Sequence, residues 1–220
     1  MDAITEVPRE RWDPAALAAL EQADSLQIRR GGFLQEIDRF DHAFFGISPR
    51  EAERMDPQQR LVLDVAWETL EEGGQPRRQL QGSATGVFLG VSNQEYRALQ
   101  FSDPALLDAF AATGNSASII ANRLSYFFGW HGPSVVVDTA CSSSLVAIHQ
   151  AIASLARGES HLALAGGVNL ILSPAGAITF SRAGVMARDG RCKAFDARAD
   201  GFVRGEGVGM VLLKPLDRAL

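Results

Sequence analysis

The chain has 220 residues, 46% of them hydrophobic and 8% aromatic, which suits one large globular domain or one lobe of a bigger one. A formal net charge of −5 argues against nucleic acid or an anionic membrane as the main partner. No apolar run is long enough to span a bilayer, and the start, with Asp2, Glu6, Arg9, Glu10 and Arg11, does not read as a signal peptide. Only Cys141 and Cys192 are present, in no Cys-x-x-Cys pair, which fits a reducing cytoplasm and gives no metal site.

Residues 1–31 are mixed in charge, with a short helix predicted over residues 14–23 and no catalytic signal. Residues 32–48 are aromatic-rich and predicted irregular. Ser48-Pro49-Arg50-Glu51 starts a helix, with Ser48 as N-cap, Pro49 at the first position and Glu51 closing a capping box. Arg50, Glu51, Glu53 and Arg54 read as a solvated face. Asp56-Pro57 starts a second helix, whose apolar face is Leu63, Val65, Ala66, Trp67 and Leu70 and whose end is Gly73-Gly74. A strand follows at residues 85–91, then a helix at residues 116–128 with Ile120, Leu124 and Phe127 on one face. Tyr126, Phe127, Phe128 and Trp130 read as core or subunit contact. Further strands are predicted at residues 161–168 and 207–213. Strands alternate with helices, so the class is α/β. Gly205-Glu206-Gly207-Val208-Gly209 is not a nucleotide loop, because these glycines precede a strand instead of opening a helix. No Gly-x-Ser-x-Gly occurs, so a serine hydrolase is not supported.

The centre of the chain is Gly132-Pro133-Ser134-Val135-Val136-Val137-Asp138-Thr139-Ala140-Cys141-Ser142-Ser143-Ser144-Leu145. Gly132-Pro133 marks a turn, and the three valines read as a buried strand. After Cys141 the period changes: Leu145, Ile148, Ile152 and Leu155 share a helical face, and Gly158 sits where that helix would stop. Cys141 therefore falls at a tight strand-to-helix junction. Helix-start amides and the positive end of the helix dipole favour a thiolate over a thiol and can hold an oxyanion. Small neighbours leave the sulfur accessible, as in a nucleophile elbow. Spacing by itself leaves a second reading open, a buried and inert cysteine. A catalytic cysteine commonly works with histidine, but His42, His131, His149 and His161 each read as structural.

Val137-Asp138-Thr139-Ala140-Cys141-Ser142-Ser143-Ser144-Leu145 resembles the active-site signature of β-ketoacyl synthases, and the triple serine is most similar to ketosynthase domains of modular type I polyketide synthases. Further similar stretches occur in order: Gly32-Phe33-Leu34, Phe40-Asp41, Phe44-Phe45-Gly46-Ile47-Ser48-Pro49-Arg50-Glu51-Ala52, Met55-Asp56-Pro57-Gln58-Gln59-Arg60, Ala121-Asn122-Arg123-Leu124-Ser125-Tyr126, Ala165-Gly166-Gly167-Val168-Asn169, and Gly201-Phe202-Val203-Arg204-Gly205-Glu206-Gly207.

The resemblance implies a thiolase-like fold: two similar halves, each a five-stranded mixed sheet with helices, assembled as a homodimer. Residues 1–220 are expected to be a partial ketosynthase domain, the N-terminal lobe, with the opening strand and the C-terminal lobe absent. It also implies Cys141 as the nucleophile, its own backbone N–H as one oxyanion donor, and Phe180 as an aromatic residue lining the acyl pocket; plain core packing is the other reading of Phe180. The implied reaction is acyl transfer and decarboxylative Claisen condensation of acyl and malonyl-type thioesters. An acyl carrier protein domain brings these on its phosphopantetheine, with no cofactor or metal bound directly. The family's two catalytic histidines and its lysine have no counterpart here, so residues 1–220 alone are expected to be inactive. One alternative is a fatty-acid condensing enzyme or other thiolase-fold acyltransferase. Another, of a different class, is a non-catalytic dimerisation lobe.

Overall fold

The structure, a computed structural model, describes residues 2–12, 17 and 27–219. In chain order it runs through β1 (Ile4–Glu6), β2 (Arg30–Gly32), α1 (Pro49–Arg54), α2 (Pro57–Glu72), α3 (Arg77–Leu80), β3 (Thr85–Gly90), α4 (Glu95–Phe101), α5 (Ala111–Asn115), α6 (Ala117–Phe128), β4 (Ser134–Val137), α7 (Ser143–Ala156), β5 (Leu162–Asn169), α8 (Ala175–Arg182) and β6 (Gly207–Leu213). The chain divides into two compact units, Met1–Gln35 with Leu170–Gly207, and Glu36–Asn169 with Val208–Leu220.

The larger unit is built on a sheet of order β4-β3-β5-β6. β3 runs parallel to β4, with Gly90 opposite Val137, and parallel to β5, with Gly90 opposite Gly167. Every residue of β3 is buried, as expected of a strand covered on both faces. Its side chains alternate: Val87 and Leu89 pack with Leu63, Ala66, Ile120, Leu124 and Phe128 of α2 and α6, whereas Phe88 packs with Ala147 and Ala151 of α7. β5 repeats the pattern, Leu162 and Leu164 facing one layer, Ala163 and Ala165 the other. Burying one such leucine or phenylalanine stabilises by about 1.5–3 kcal/mol, so this core fixes the sheet that carries the central turn. The aromatic cluster is split: Phe128 and Trp130 stack at 4.5 Å inside the core, while Tyr126 is 89% exposed.

The smaller unit carries β1, β2 and α8, and Glu206 ties several of its segments together. Its carboxylate is fully buried and accepts from Arg11 Nη2 at 3.2 Å and from the Leu34 and Ile171 amides at 2.8 Å each. The antiparallel β1–β2 pair was not evident from sequence, because its three-residue strands lie far apart in the chain. The helix expected at residues 14–23 falls almost wholly outside the described residues.

Three expectations are corrected. α7 fully buries Ser143, Ala147, Ala151 and Ser154, while of the expected stripe Ile148 and Leu155 pack partly buried against the core and Leu145 and Ile152 are 71% and 53% exposed. Small side chains let α7 lie close on the alanines of β5. The capping box on α1 is half formed: Ser48 Oγ accepts from the Glu51 amide, but the Glu51 carboxylate reaches Arg123 at 2.6 Å. The charges of α1 are not simply solvated, since Arg50 and Arg54 both reach Asp108. The main sheet shows four strands among the described residues, at the four stretches where strands were expected. No helix among the described residues is long and apolar enough to cross a membrane.

Candidate active site

β4 ends at Val137 and α7 begins at Ser143, so the turn between them carries Cys141. Ser142 is the N-cap of α7, and Cys141 therefore stands one residue ahead of it, slightly further from the helix than the spacing suggested. The first turn of α7 presents amides that its own carbonyls cannot reach, beside an exposed, free thiol.

The turn is strained at one point and braced around it. Ala140 has φ 54°, a left-handed conformation uncommon for a residue with a side chain. Asp138 Oδ1 accepts from the Ala140 amide at 3.0 Å. Ser143 Oγ accepts from the Thr139 amide at 2.9 Å and donates to the Ala140 carbonyl at 2.6 Å. Ser142 Oγ donates to the Thr139 carbonyl at 2.8 Å. The serines flanking Cys141 thus hold backbone in place.

Close approach to the sheet adds a second constraint. A Cβ on Gly90 would lie 2.5 Å from the Ser144 amide nitrogen, and one on Gly167 would lie 3.0 Å from Ser144 Cβ. Only glycine at these strand ends lets the start of α7 settle there. The same edge of the sheet receives the loop leaving β3, whose Val91 amide donates to the Val137 carbonyl at 3.0 Å.

One member of a buried polar cluster that sequence reasoning missed, Gln58, bonds that loop. Asp56, Gln58, Gln59 and Arg60, at the start of α2, are all buried. Asp56 caps α2, accepting from the Gln58 amide at 2.9 Å and from Gln58 Nε2 at 3.2 Å. Burial pushes its carboxyl above the usual carboxylate range, and the bonds from Gln58 oppose that rise. Gln58 Nε2 also donates to the Asn93 carbonyl at 2.9 Å. Gln59 Nε2 donates to the Thr113 and Gly114 carbonyls, and its Oε1 accepts from Arg123 Nε at 2.9 Å. Polar residues in a first helical turn are usually solvated, so periodicity gives no sign of this arrangement.

None of the four histidines is placed in this turn. His131 and His161 stand just before β4 and β5, at the opposite end of the strands, and His149 is exposed in the second turn of α7. His42 Nδ1 lies 2.8 Å from the Ile47 carbonyl. Cys192 and Phe180 belong to the smaller unit. Cys192 Sγ accepts from the Val203 amide at 3.4 Å. Phe180 lies on α8, 41% exposed, edge-on to Phe202 at 5.6 Å and beneath the Arg204 guanidinium at 5.7 Å.

Fold and site define an α/β protein with an accessible cysteine at a strand-to-helix turn. The profile described as "Beta-ketoacyl synthase, N-terminal domain" matches residues 1–219, and the chain belongs to that family. It is 55% identical over 218 residues to one of the phenolphthiocerol/phthiocerol polyketide synthase subunits of Mycobacterium tuberculosis, covering 98% of this chain and 12% of that protein. It is 47% identical over 220 residues to polyketide synthase PksN of Bacillus subtilis, covering 99% of this chain and 4% of that protein. Among solved structures it is similar to the ketosynthase from module 6 of the bacillaene synthase of Bacillus subtilis 168, with a TM-score of 0.86, 39% identity, and 99% of this chain covered against 36% of that one. The oxazolomycin ketosynthase domain OzmH KS7 of Streptomyces albus JA3453 gives 0.89 at 40% identity, with 99% and 39% covered. The chain thus spans about an eighth or less of these curated relatives and over a third of the solved chains. The fold is thiolase-like.

Proposed function

We propose that, in the full-length protein, Cys141 is the nucleophile of a polyketide-type condensation. The supporting observation is one exposed thiol on a strained, serine-braced turn ahead of α7. Cys141 Sγ attacks the carbonyl of an acyl thioester, and the negative charge formed on oxygen is held by backbone amides, that of Cys141 included. The bond to the carrier sulfur then breaks. The carrier thiol departs with a proton, and the acyl group stays on Cys141. A malonyl-type thioester next loses carbon dioxide. Its enolate attacks the acyl carbonyl, forming a carbon–carbon bond and releasing the Cys141 thiolate. Both thioesters arrive on the phosphopantetheine of an acyl carrier protein domain, and Phe180 contacts the acyl chain. The working unit in this reading is a homodimer. Since no histidine stands at the turn, residues 1–220 by themselves are expected to give no condensation product.

The test is intact-mass measurement of the full-length protein after exposure to an acyl-pantetheine thioester. The expected result is one added acyl group, absent in Cys141→Ala. An acyl adduct that persists in Cys141→Ala would refute the assignment.

A further inference from the structure

We propose that Gln58 is a positioning residue for the Cys141 site, clamping the loop beside it through the Asn93 carbonyl; this role rests on the thioester reading above. The argument starts with Asp56. Its two carboxylate oxygens grip the Gln58 backbone amide and side-chain Nε2, at 2.9 and 3.2 Å, and so fix which way the Gln58 amide points. Gln58 is 2% exposed, and its remaining donor goes to the Asn93 carbonyl at 2.9 Å. Gln58 Oε1 has no partner among the described residues, so the hold lies wholly in the NH₂ group.

Asn93 stands three residues beyond Gly90, the end of β3. Gly90 pairs with Val137, Val91 bonds the Val137 carbonyl, and Gly90 abuts Ser143 and Ser144. The loop that begins at Val91 therefore leaves the same end of the sheet as the turn that carries Cys141. On this proposal an acyl chain reaching Cys141 passes this loop, whereas a reagent of a few atoms does not depend on it. Gln58 fixes the loop from α2, out of contact with the thiol. Gln59, the next residue, bonds Thr113, Gly114 and Arg123 instead, and serves as a matched control.

The experiment compares Gln58→Met and Gln59→Met in the full-length protein, both changes keeping side-chain length and flexibility. Two rates are followed for Cys141: alkylation by iodoacetamide, and acylation by hexanoyl-pantetheine over a range of concentrations. Melting temperatures correct each rate for folded fraction. Gln58→Met should keep the iodoacetamide rate and raise KM for acylation about ten-fold, since small misplacements remote from the chemistry cost one to two orders of magnitude. Gln59→Met should melt lower but load normally. Should Gln58→Met be poorly folded, Gln58→Leu, which likewise lacks the donor to the Asn93 carbonyl, must give the same split. Equal KM in Gln58→Met and the parent, or a parallel loss of both rates in both variants, would overturn the proposal. A parent protein that alkylates at Cys141 but accepts no acyl group would instead overturn the thioester reading on which it rests.

Discussion

Two helix starts in the larger unit use polar residues in opposite ways. At the start of α2, Asp56, Gln58, Gln59 and Arg60 are buried; Asp56 accepts from Gln58, and the other three spend donors on backbone carbonyls. At the start of α7, Ser142 and Ser143 spend theirs on the turn itself, and Cys141 is left exposed. A buried polar group left unpaired costs free energy, and the bonds made by Gln58, Gln59 and Arg60 tie the first start to its neighbours, although Gln58 Oε1 and Arg60 Nε have no partner among the described residues. The second is rigid because short side chains tie down a left-handed Ala140 and because Gly90 and Gly167 admit the helix end. One start positions segments; the other presents an atom.

The largest way to break this contrast is Gln59→Ala. It removes two donors from the Thr113 and Gly114 carbonyls and an acceptor from Arg123, all part-buried or buried. At about 1–3 kcal/mol for each buried group left unpaired, the expected loss is about 3 kcal/mol in chemical denaturation. Cys141 in the folded fraction should alkylate as before. A loss confined to alkylation, with stability intact, would erase the distinction between the two starts.

Next in size is Gly90→Ala. Its Cβ would meet backbone of Ser143 and Ser144, which cannot swing aside as a flexible side chain would. The expected cost is about 1–3 kcal/mol, as for overpacking in a core. Unlike Gln59→Ala, it should also change the Cys141 alkylation rate, because the helix end must move. An alanine accepted there with no change in either measurement would show that close approach does not hold the turn.

Ser143→Ala comes third. It deletes an oxygen that bonds both the Thr139 amide and the Ala140 carbonyl, at an expected cost of about 1–2 kcal/mol. Acyl loading should fall further than stability suggests, since Ala140 then loses its brace. Ser142→Ala, whose bonds are exposed, should show the same trend more weakly.

The two starts also differ in how far they could be read in advance. The strand, the turn and the helix around Cys141 were legible, because a β-branched run, a Gly-Pro pair and a change of period are local signals. The burial of α7 was not: a stripe of large residues reads as a core face, yet Ala163 and Ala165 across the gap favour the alanine face of the helix. The polar cluster of α2 was invisible for the same reason, since periodicity counts apolar residues. Glu206 was quoted only as part of a glycine-rich motif; its partners Arg11, Leu34 and Ile171 are separated by 35 to 195 positions, beyond the reach of local pattern. Positive φ at Ala140 leaves no mark in composition, because alanine is not a residue associated with that region.

The smallest effect lies within α2 itself, in its middle. Asp64 is half-buried, and its carboxyl is pushed up to about 6, first by burial and then by the charges of Glu68 and Asp41. The folded protein therefore holds this proton more tightly than the unfolded chain, whose ordinary value is 3.8. A carboxylate raised on folding adds stability below its unfolded value and loses it as pH climbs through the folded one. Between about pH 4 and 6 the folded state should thus weaken on account of Asp64, levelling off above pH 7. Asp64→Asn removes that slope. Relative to the parent, the variant should gain little below pH 4 and most near pH 7, where half-exposure limits the gain to below about 1 kcal/mol. Urea midpoints of the two proteins at pH 4, 5, 6 and 7 give the difference directly, with the other titrating groups cancelling. A difference that stays constant with pH, or grows toward pH 4, would mean that burial in the middle of α2 does not raise the Asp64 carboxyl.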